Sequence, residues 1–438
     1  FTLSLIVLKE KFSLAFICSI VLVIGGMLVY LSRYLEDGDA WALYFSRANS
    51  GSTGQLLDRE GRQLAFFSGF DNRFAADALT RKANYHVTGD YWNRTGTGVL
   101  AEYMGSLQGF SFLTGTTKVQ HSQLQLNIDA HLNNVAFDAL GEERAGAVLL
   151  CDYTTGELLA MVSTPAIDPA AENIEPKEGA YINRCLSASF TPGSVFKLIT
   201  AAAAMEQIPD LYERSFRCEG VYTIAGVDIK CAGVHDTLRF EDALANSCNC
   251  AFAQLAVLLG QETLLSYVKQ YGFLQRQELE GFQTAAGAFP EEFVGDPETA
   301  WSGIGQSTDL ICPYTMLRYV AAIANGGVVV EPGLIRDGEP PVQTPLMNPD
   351  TANQLKGLMH YTVQTHYDGE NRFPGLKLCA KTGTAELGDG TSHAWFVGFL
   401  DEPEHPYAFV VLVERAGGGL TNASPVAYEL LKAATGLE

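Results

Sequence analysis

The longest uninterrupted apolar stretch of the chain runs from Phe12 to Ser32, is rich in Leu, Ile and Val, and contains no charged residue. About 20 such residues cross a bilayer as a helix. Lys9 and Lys11 precede the stretch and Arg33 follows it, so the charge bias across it says little about orientation. The pattern predicts one membrane-spanning helix, and the alternative is a buried core helix.

After this stretch the pattern changes to short alternating segments. Residues 54–57 and 62–66 flank a turn that ends in glycine, which predicts a β-hairpin. Residues 70–120 are rich in Gly, Thr and aromatic residues and have no long helical period. We therefore expect a tail and anchor over 1–33, followed by a small β-rich accessory domain over 34–121.

Residues 122–438 have the pattern of one larger domain. Two half-buried strands are predicted near its start, and the middle, about 194–325, is mostly helical by pattern. Three successive strands and a closing helix are predicted near the end, over 376–383, 394–400, 407–413 and 425–434. Strands at both ends with helices between them indicate an α+β or mixed three-layer fold.

Composition excludes one broad class of function. The chain has 438 residues, a net charge of -21 and a pI near 4.8. A nucleic-acid-binding protein needs a basic face to meet phosphates, so no nucleic-acid partner is expected. A hydrophobic content of 47% with 18% charged residues is typical of a globular protein.

The nine cysteines are too sparse for a disulfide scaffold. Cys248 and Cys250 have no second Cys/His pair near them in sequence, which argues against a zinc site. Cys218 and Cys231 bracket a predicted hairpin, which can bring its ends within disulfide reach. In an oxidising compartment these two residues can form a bridge, and the alternative is two ordinary buried thiols.

The first chemical motif is Ser194 followed by Lys197. A Pro-Gly pair ends an extended segment just before Ser194, and helix-forming residues follow, so both side chains fall on one face at a helix start. A serine hydroxyl becomes a nucleophile when a neighbouring base takes its proton, and a buried lysine can be that base. Alone, the motif fits a capping serine and a surface lysine equally well.

Two further motifs follow in order. Ser247 and Asn249 lie between two helical patterns, where such residues are common in ordinary helix junctions. A strand beginning near Leu376 ends in Lys381-Thr382-Gly383-Thr384. A lysine and two hydroxyls beside a glycine can bind a carboxylate, although a strand end with a turn glycine has the same letters.

Together the three motifs resemble those of the class B, monofunctional penicillin-binding proteins. The likeness extends to residues 155–165, 303–306, 324–327 and 393–399, and it covers about 44–437. The resemblance implies a penicillin-binding/serine β-lactamase-like fold with a central antiparallel sheet and helices. It also implies a single-pass protein of the bacterial cell membrane whose catalytic domain is extracytoplasmic.

The resemblance implies roles for these residues. Ser194 would be acylated by a D-Ala-D-Ala stem peptide or a β-lactam, Lys197 would be its base, and Ser247 would relay a proton. Asn249 would contact the substrate amide. The substrate carboxylate would bind to the third motif, Lys381, Thr382, Gly383 and Thr384. No metal or organic cofactor is implied.

Other readings remain open at this point. A D,D-carboxypeptidase has the same motifs, and a β-lactam sensor has the same fold. A class A β-lactamase is disfavoured because no Glu-x-x-Leu-Asn sequence follows Asn249. Residues 34–121 are too few for a glycosyltransferase domain, so strand polymerisation is expected from a partner, and the resemblance implies that this partner is a polytopic membrane glycosyltransferase.

Overall fold

The structure is a computed structural model. It describes residues 11–36, 53–68, 71–108, 110–111, 116–117, 121–171, 175–292, 295–336 and 340–437. The predicted tail over 1–10 and the first part of the predicted accessory domain, over 37–52, lie outside these residues.

The N-terminal apolar stretch lies within helix α1 (Lys11–Glu36). Most of the apolar side chains described on it, within 16–32, are exposed, as at Leu22, which is 75% exposed. Among the described residues, no single helix combines the length and apolarity that a bilayer crossing requires, and the apolar part of α1 is Phe16–Ser32. Two consecutive helices, Asn249–Leu259 and Gln261–Gln270, are long and apolar enough only when taken together, and their axes bend by 95° at the break between them. The predicted anchor is thus helical, and its membrane crossing stays a prediction.

The accessory region is built on a four-stranded sheet with the order β3 (Asp71–Phe74), β2 (Gln63–Ser68), β1 (Thr53–Leu57) and β6 (His121–Gln125), in which β1 and β6 are parallel. The hairpin predicted over 54–66 is present as β1 and β2. Three short helices also occur, which the Gly- and Thr-rich composition did not indicate. The elements are β1 (Thr53–Leu57), β2 (Gln63–Ser68), β3 (Asp71–Phe74), α2 (Ala78–Ala83), α3 (Tyr85–Thr88), α4 (Val99–Gln108), β4 (Phe110–Ser111), β5 (Thr116–Thr117) and β6 (His121–Gln125).

The larger domain follows in three stretches. The first contains α5 (Ala130–Leu140), β7 (Gly146–Asp152), β8 (Leu158–Thr164), α6 (Lys197–Gln207), β9 (Phe216–Cys218), β10 (Val221–Ile224), β11 (Val227–Lys230) and β12 (Asp236–Leu238). The second contains α7 (Phe240–Ala245), α8 (Asn249–Leu259), α9 (Gln261–Gln270), β13 (Glu278–Leu279), β14 (Phe282–Gln283), α10 (Asp296–Ser302), α11 (Pro313–Ala324), β15 (Val328–Val330) and β16 (Gln343–Pro345). The last contains α12 (Pro349–His366), α13 (Gly369–Arg372), β17 (Leu378–Glu386), β18 (Ser392–Leu400), β19 (Tyr407–Val413), α14 (Gly419–Asn422) and α15 (Ser424–Thr435).

A five-stranded antiparallel sheet forms the centre of this domain, with the order β17-β18-β19-β7-β8. Successive side chains of a strand point to opposite faces, and both faces here are buried. On β19, Val410 and Leu412 belong to one apolar core, whereas Phe409 and Val411 belong to another. Helix α11 packs on the first face, and α5 and α15 pack together on the second. The predicted α+β fold with a central antiparallel sheet is confirmed.

Candidate active site

Ser194 lies in a single 3₁₀ turn, Gly193–Phe196, that leads directly into α6. Gly193 has a φ of 55°, a conformation that favours glycine. A Cβ at Gly193 would lie 2.6 Å from the carbonyl oxygen of Thr384 on β17. The indole Nε1 of Trp395, on β18, donates a 2.9 Å hydrogen bond to a backbone carbonyl of the same loop. The turn that carries Ser194 is therefore held against the third motif.

Lys197 is the first residue of α6 and is fully buried. Its Nζ donates to the carbonyl oxygen of Ser247 at 2.6 Å and to Oδ1 of Asn249 at 2.7 Å, and lies 3.3 Å from the hydroxyl of Ser247. Burial lowers the pKa of Lys197 to about 8, although nearby thiols oppose the shift. An appreciable fraction of this amine is neutral near pH 7, as a proton acceptor must be.

Ser247 is approached by a second lysine. The Nζ of Lys381 donates to the Ser247 hydroxyl at 2.9 Å and to the carbonyl oxygen of Thr382 at 3.0 Å. Lys381 is fully buried, and burial, followed by the charge of Lys197, lowers its pKa well below the usual value. Ser247 has a φ of 52°, a strained conformation for a residue with a side chain. Two amines therefore meet at one hydroxyl, an arrangement through which a proton can move.

Asn249 connects Lys197 to the hairpin β10–β11. While its Oδ1 accepts from Lys197, its Nδ2 donates to the carbonyl oxygen of Lys230 at 2.9 Å, at the end of β11. One amide hydrogen remains for another partner. The contact with substrate predicted for Asn249 thus stays a prediction, and its contact with the predicted base is an addition that the sequence did not indicate.

The third motif lies on the edge strand β17. Gly383 is buried, and a Cβ there would lie 2.8 Å from the carbonyl oxygen of Pro192, so glycine lets this strand approach the loop before Ser194. Thr384 is exposed. The hydroxyl of Thr382 lies 2.9 Å from Oη of Tyr367, and its backbone N–H donates to the same Oη at 3.0 Å. Tyr367 was not a candidate from the sequence, because a tyrosine that follows a helix carries no recognisable motif.

The cysteines form a closer group than the sequence indicated. Cys218 and Cys231 are free thiols in this structure, so the bridge considered for them is not formed. The hairpin between them is present, with β10 paired to β11, but Cys231 also lies against the second motif. Its sulfur is 3.8 Å from that of Cys248, and Nδ1 of His235 is 3.5 Å from the Cys231 sulfur. The sequence argument against a zinc site considered neighbours along the chain only, and the fold brings Cys231 and His235 close to Cys248.

A comparison of the chain with known proteins finds a matching family model and several relatives. Residues 146–432 match the family model of the penicillin binding protein transpeptidase domain. The chain is 31% identical to stage V sporulation protein D of Bacillus subtilis, over 63% of this chain and 47% of that protein. It is 29% identical to the peptidoglycan D,D-transpeptidase PbpA of Mycobacterium tuberculosis, over 66% of this chain and 67% of that protein. The chain thus spans about half the length of the Bacillus relative.

Solved structures show the same fold. Penicillin-binding protein A from M. tuberculosis, as its ceftriaxone acyl-enzyme complex, superposes with a TM-score of 0.78 at 24% identity, covering 90% of this chain and 99% of that one. A D,D-transpeptidase domain from Eggerthella lenta superposes with a TM-score of 0.76 at 23% identity, covering 88% of this chain and 99% of that one. At these identities the superpositions establish the fold alone.

Proposed function

The chain belongs to the class B penicillin-binding protein family, whose transpeptidase domain it matches over 146–432, and we propose that it is a serine D,D-transpeptidase. Its substrates are the D-Ala-D-Ala stem peptides of peptidoglycan, and β-lactams acylate the same serine. The observation that carries the proposal is the convergence of Lys197 and Lys381 on Ser247, beside the turn that carries Ser194.

In the first half-reaction Ser194 Oγ attacks the carbonyl carbon between the two D-alanines, and neutral Lys197 takes the hydroxyl proton. The negative charge on the carbonyl oxygen is stabilised by the backbone N–H groups of Ser194 and Thr384. Such donors contribute roughly 3 kcal/mol each in well-studied enzymes. The C–N bond then breaks, and the proton passes through Ser247 to the departing D-alanine amine, leaving an acyl-enzyme.

In the second half-reaction the amine of another stem attacks the acyl-enzyme carbonyl. Its proton returns by way of Lys197 to Ser194 Oγ, which leaves as the free serine, and a new amide joins the two stems. Before these steps, Lys381, Thr382 and Thr384 hold the terminal carboxylate, and Gly383 lets the substrate lie along β17. The free amide hydrogen of Asn249 contacts the substrate amide.

Domain organisation forms part of the proposal. Residues 1–33 form the tail and membrane anchor, 34–121 the accessory domain, and 122–438 the transpeptidase domain, which works outside the cytoplasm of a bacterium. Strand β6 (His121–Gln125) crosses the boundary at 121/122 and completes the accessory sheet. The exposed apolar side chains of α1 support the anchor. A polytopic membrane glycosyltransferase is the proposed partner, bound through α1 and the accessory domain. Replacing 12–32 with an unrelated span should abolish its co-purification, and unchanged co-purification contradicts the partnership.

The molecule that accepts the acyl group distinguishes a transpeptidase from a carboxypeptidase. The full chain is incubated with a D-Ala-D-Ala pentapeptide and an excess of a D-amino acid, and products are separated by mass spectrometry. A transpeptidase yields the exchanged peptide together with free D-alanine, and Ser194→Ala yields neither. Production of tetrapeptide alone identifies a carboxypeptidase, and the absence of any product in the wild type contradicts the proposal.

A further inference from the structure

Four side chains with metal-binding atoms meet beside the second motif. Cys218 ends β9, Cys231 follows β11, His235 precedes β12, and Cys248 precedes α8. Their ligand atoms all lie within 4.8 Å of one another. Cys218 and Cys248 are fully buried, and the other two residues are half-buried. Because three separate segments supply them, the fold rather than any local motif creates the cluster.

Three of the distances among these ligand atoms are close to those of a tetrahedral metal site, and all of them are within 4.8 Å. Zinc binds thiolate sulfur at about 2.3 Å and imidazole nitrogen at about 2.0–2.1 Å, so tetrahedral angles place two sulfurs about 3.8 Å apart and a sulfur and a nitrogen about 3.6 Å apart. The Cys231 and Cys248 sulfurs are 3.8 Å apart. Nδ1 of His235 lies 3.3 Å from the Cys218 sulfur and 3.5 Å from that of Cys231. We propose that Cys218, Cys231, His235 and Cys248 bind one structural Zn²⁺.

The donor set selects this class of metal. Three thiolates and one imidazole form a closed four-coordinate set, which is typical of structural zinc, whereas Mg²⁺ and Ca²⁺ take oxygen ligands. Backbone donors already point at the sulfurs. The N–H of Asn249 donates to Cys231 Sγ at 3.3 Å, and that of Ala251 donates to Cys248 Sγ at 3.4 Å. Such outer hydrogen bonds stabilise negative charge on ligating sulfur.

Binding is an exchange of protons for the metal. Each of the three thiols loses its proton to solvent as its sulfur bonds to Zn²⁺, and neutral His235 bonds through Nδ1. The loaded cluster therefore carries one net negative charge, and no electron transfer takes place. In the loaded site the three sulfurs are occupied, so no disulfide forms among Cys218, Cys231 and Cys248.

The metal would position the second motif, a consequence that rests on the proposed transpeptidase function. Cys248 lies between Ser247, with its left-handed φ of 52°, and Asn249, whose Oδ1 holds Lys197. A bond from Cys248 to zinc fixes this loop to the two-stranded sheet of β9 and β12 and to the end of the β10–β11 hairpin. The ligands themselves touch no reacting atom, so they act as positioning residues.

The metal content of the full chain tests the site directly. The protein is purified under reducing conditions with zinc present, desalted, and analysed for bound metal. We expect one zinc per chain in the wild type, clearly less in Cys231→Ser and His235→Ala, and one again in Cys312→Ala, a buried thiol outside the cluster. A wild type without zinc, or variants that retain a full equivalent, would overturn the proposal.

Cobalt provides a readout that does not depend on folding of the variants. Titrating the metal-free wild type with Co²⁺ should produce sulfur-to-cobalt charge-transfer absorption and the strong visible bands of tetrahedral cobalt. Their absence also overturns the site.

The rate of acylation by penicillin then tests whether zinc positions the second motif. Removing zinc should slow acylation by up to about a hundredfold, as for a displaced catalytic group, and returning zinc should restore it. Unchanged acylation after complete zinc loss contradicts the positioning role and leaves the metal site standing. A zinc-loaded wild type that is never acylated contradicts the transpeptidase proposal instead.

Discussion

Lys381 donates a 2.9 Å hydrogen bond to the hydroxyl of Ser247, although the two residues are 134 positions apart in the sequence. The bond joins the edge strand of the central sheet to a loop between two helices. Because Lys197 reaches the same loop, the hydroxyl of Ser247 lies between two buried amines. A relay through Ser247 needs this arrangement, and four predictions follow from it and from its surroundings.

Ser247→Ala should slow acylation by penicillin by about 10²–10³-fold, because the variant removes the hydroxyl through which the leaving group is protonated. The measurement is the second-order rate constant of acylation. Ser266→Ala, at an exposed serine whose hydroxyl bonds only within its own helix, is the matched control and should keep the wild-type rate. A Ser247→Ala enzyme within threefold of wild type would exclude the relay.

Acylation should accelerate as pH rises through about 8, the pKa of Lys197, and then level off. Burial lowers this pKa, so below pH 8 the neutral, proton-accepting fraction falls about tenfold per pH unit. The nearby thiols of Cys231, Cys248 and Cys250 oppose this lowering of the pKa. The profile is measured with penicillin from about pH 6 to 9.

The control for the pH profile uses two arginine variants. Lys197→Arg keeps the positive charge throughout and should be slow at every pH, whereas Lys377→Arg, at an exposed lysine, should follow the wild type. A flat wild-type profile over this range would contradict Lys197 as the base.

Gly193→Ala should reduce acylation by about a hundredfold, because its Cβ would lie 2.6 Å from the Thr384 carbonyl oxygen and push the Ser194 turn away from β17. Gly61→Ala is the matched control, since Gly61 also has a positive φ, 79°, but its Cβ would meet nothing within 4 Å. That control isolates the backbone strain, which we expect to cost about 1 kcal/mol of stability without slowing acylation. Equal acylation rates in the two variants would contradict the close approach.

Tyr367→Phe should weaken the non-covalent binding of penicillin more than it slows the acylation step. The variant removes the Oη that accepts from the Thr382 N–H and pairs with the Thr382 hydroxyl, at a cost of about 1 kcal/mol. Pre-steady-state kinetics separates the two constants. Tyr212→Phe, whose exposed hydroxyl bonds to Gln354, should change neither. If the acylation step alone slows in Tyr367→Phe, Tyr367 does not position the carboxylate site.

Local patterns in the sequence were enough to predict the framework. The strand over 407–413 appears with its predicted bounds, and the hairpin predicted between Cys218 and Cys231 is present, since such signals are encoded by adjacent residues. Order and spacing were enough to select Ser194, Lys197 and Lys381 as candidates, because three weak motifs in one domain rarely coincide.

Contacts between distant segments could not be predicted in the same way. The proximity of His235 to Cys248, the hydrogen bond from Asn249 to Lys230 and the position of Tyr367 beside Thr382 each depend on how separate elements pack. No periodicity or motif in a single chain reports such packing. For the same reason a disulfide was considered at Cys218 and Cys231 where the fold assembles a larger group.

Intact-mass spectrometry of the full chain with penicillin, comparing wild type with Ser194→Ala, tests the central claim most directly. The account predicts a single stable adduct with the mass of one penicillin in the wild type and none in the variant, because Ser194 Oγ opens the lactam ring and keeps the acyl group. An adduct that persists in Ser194→Ala, no adduct in the wild type, or rapid release of hydrolysed drug by the wild type would contradict it.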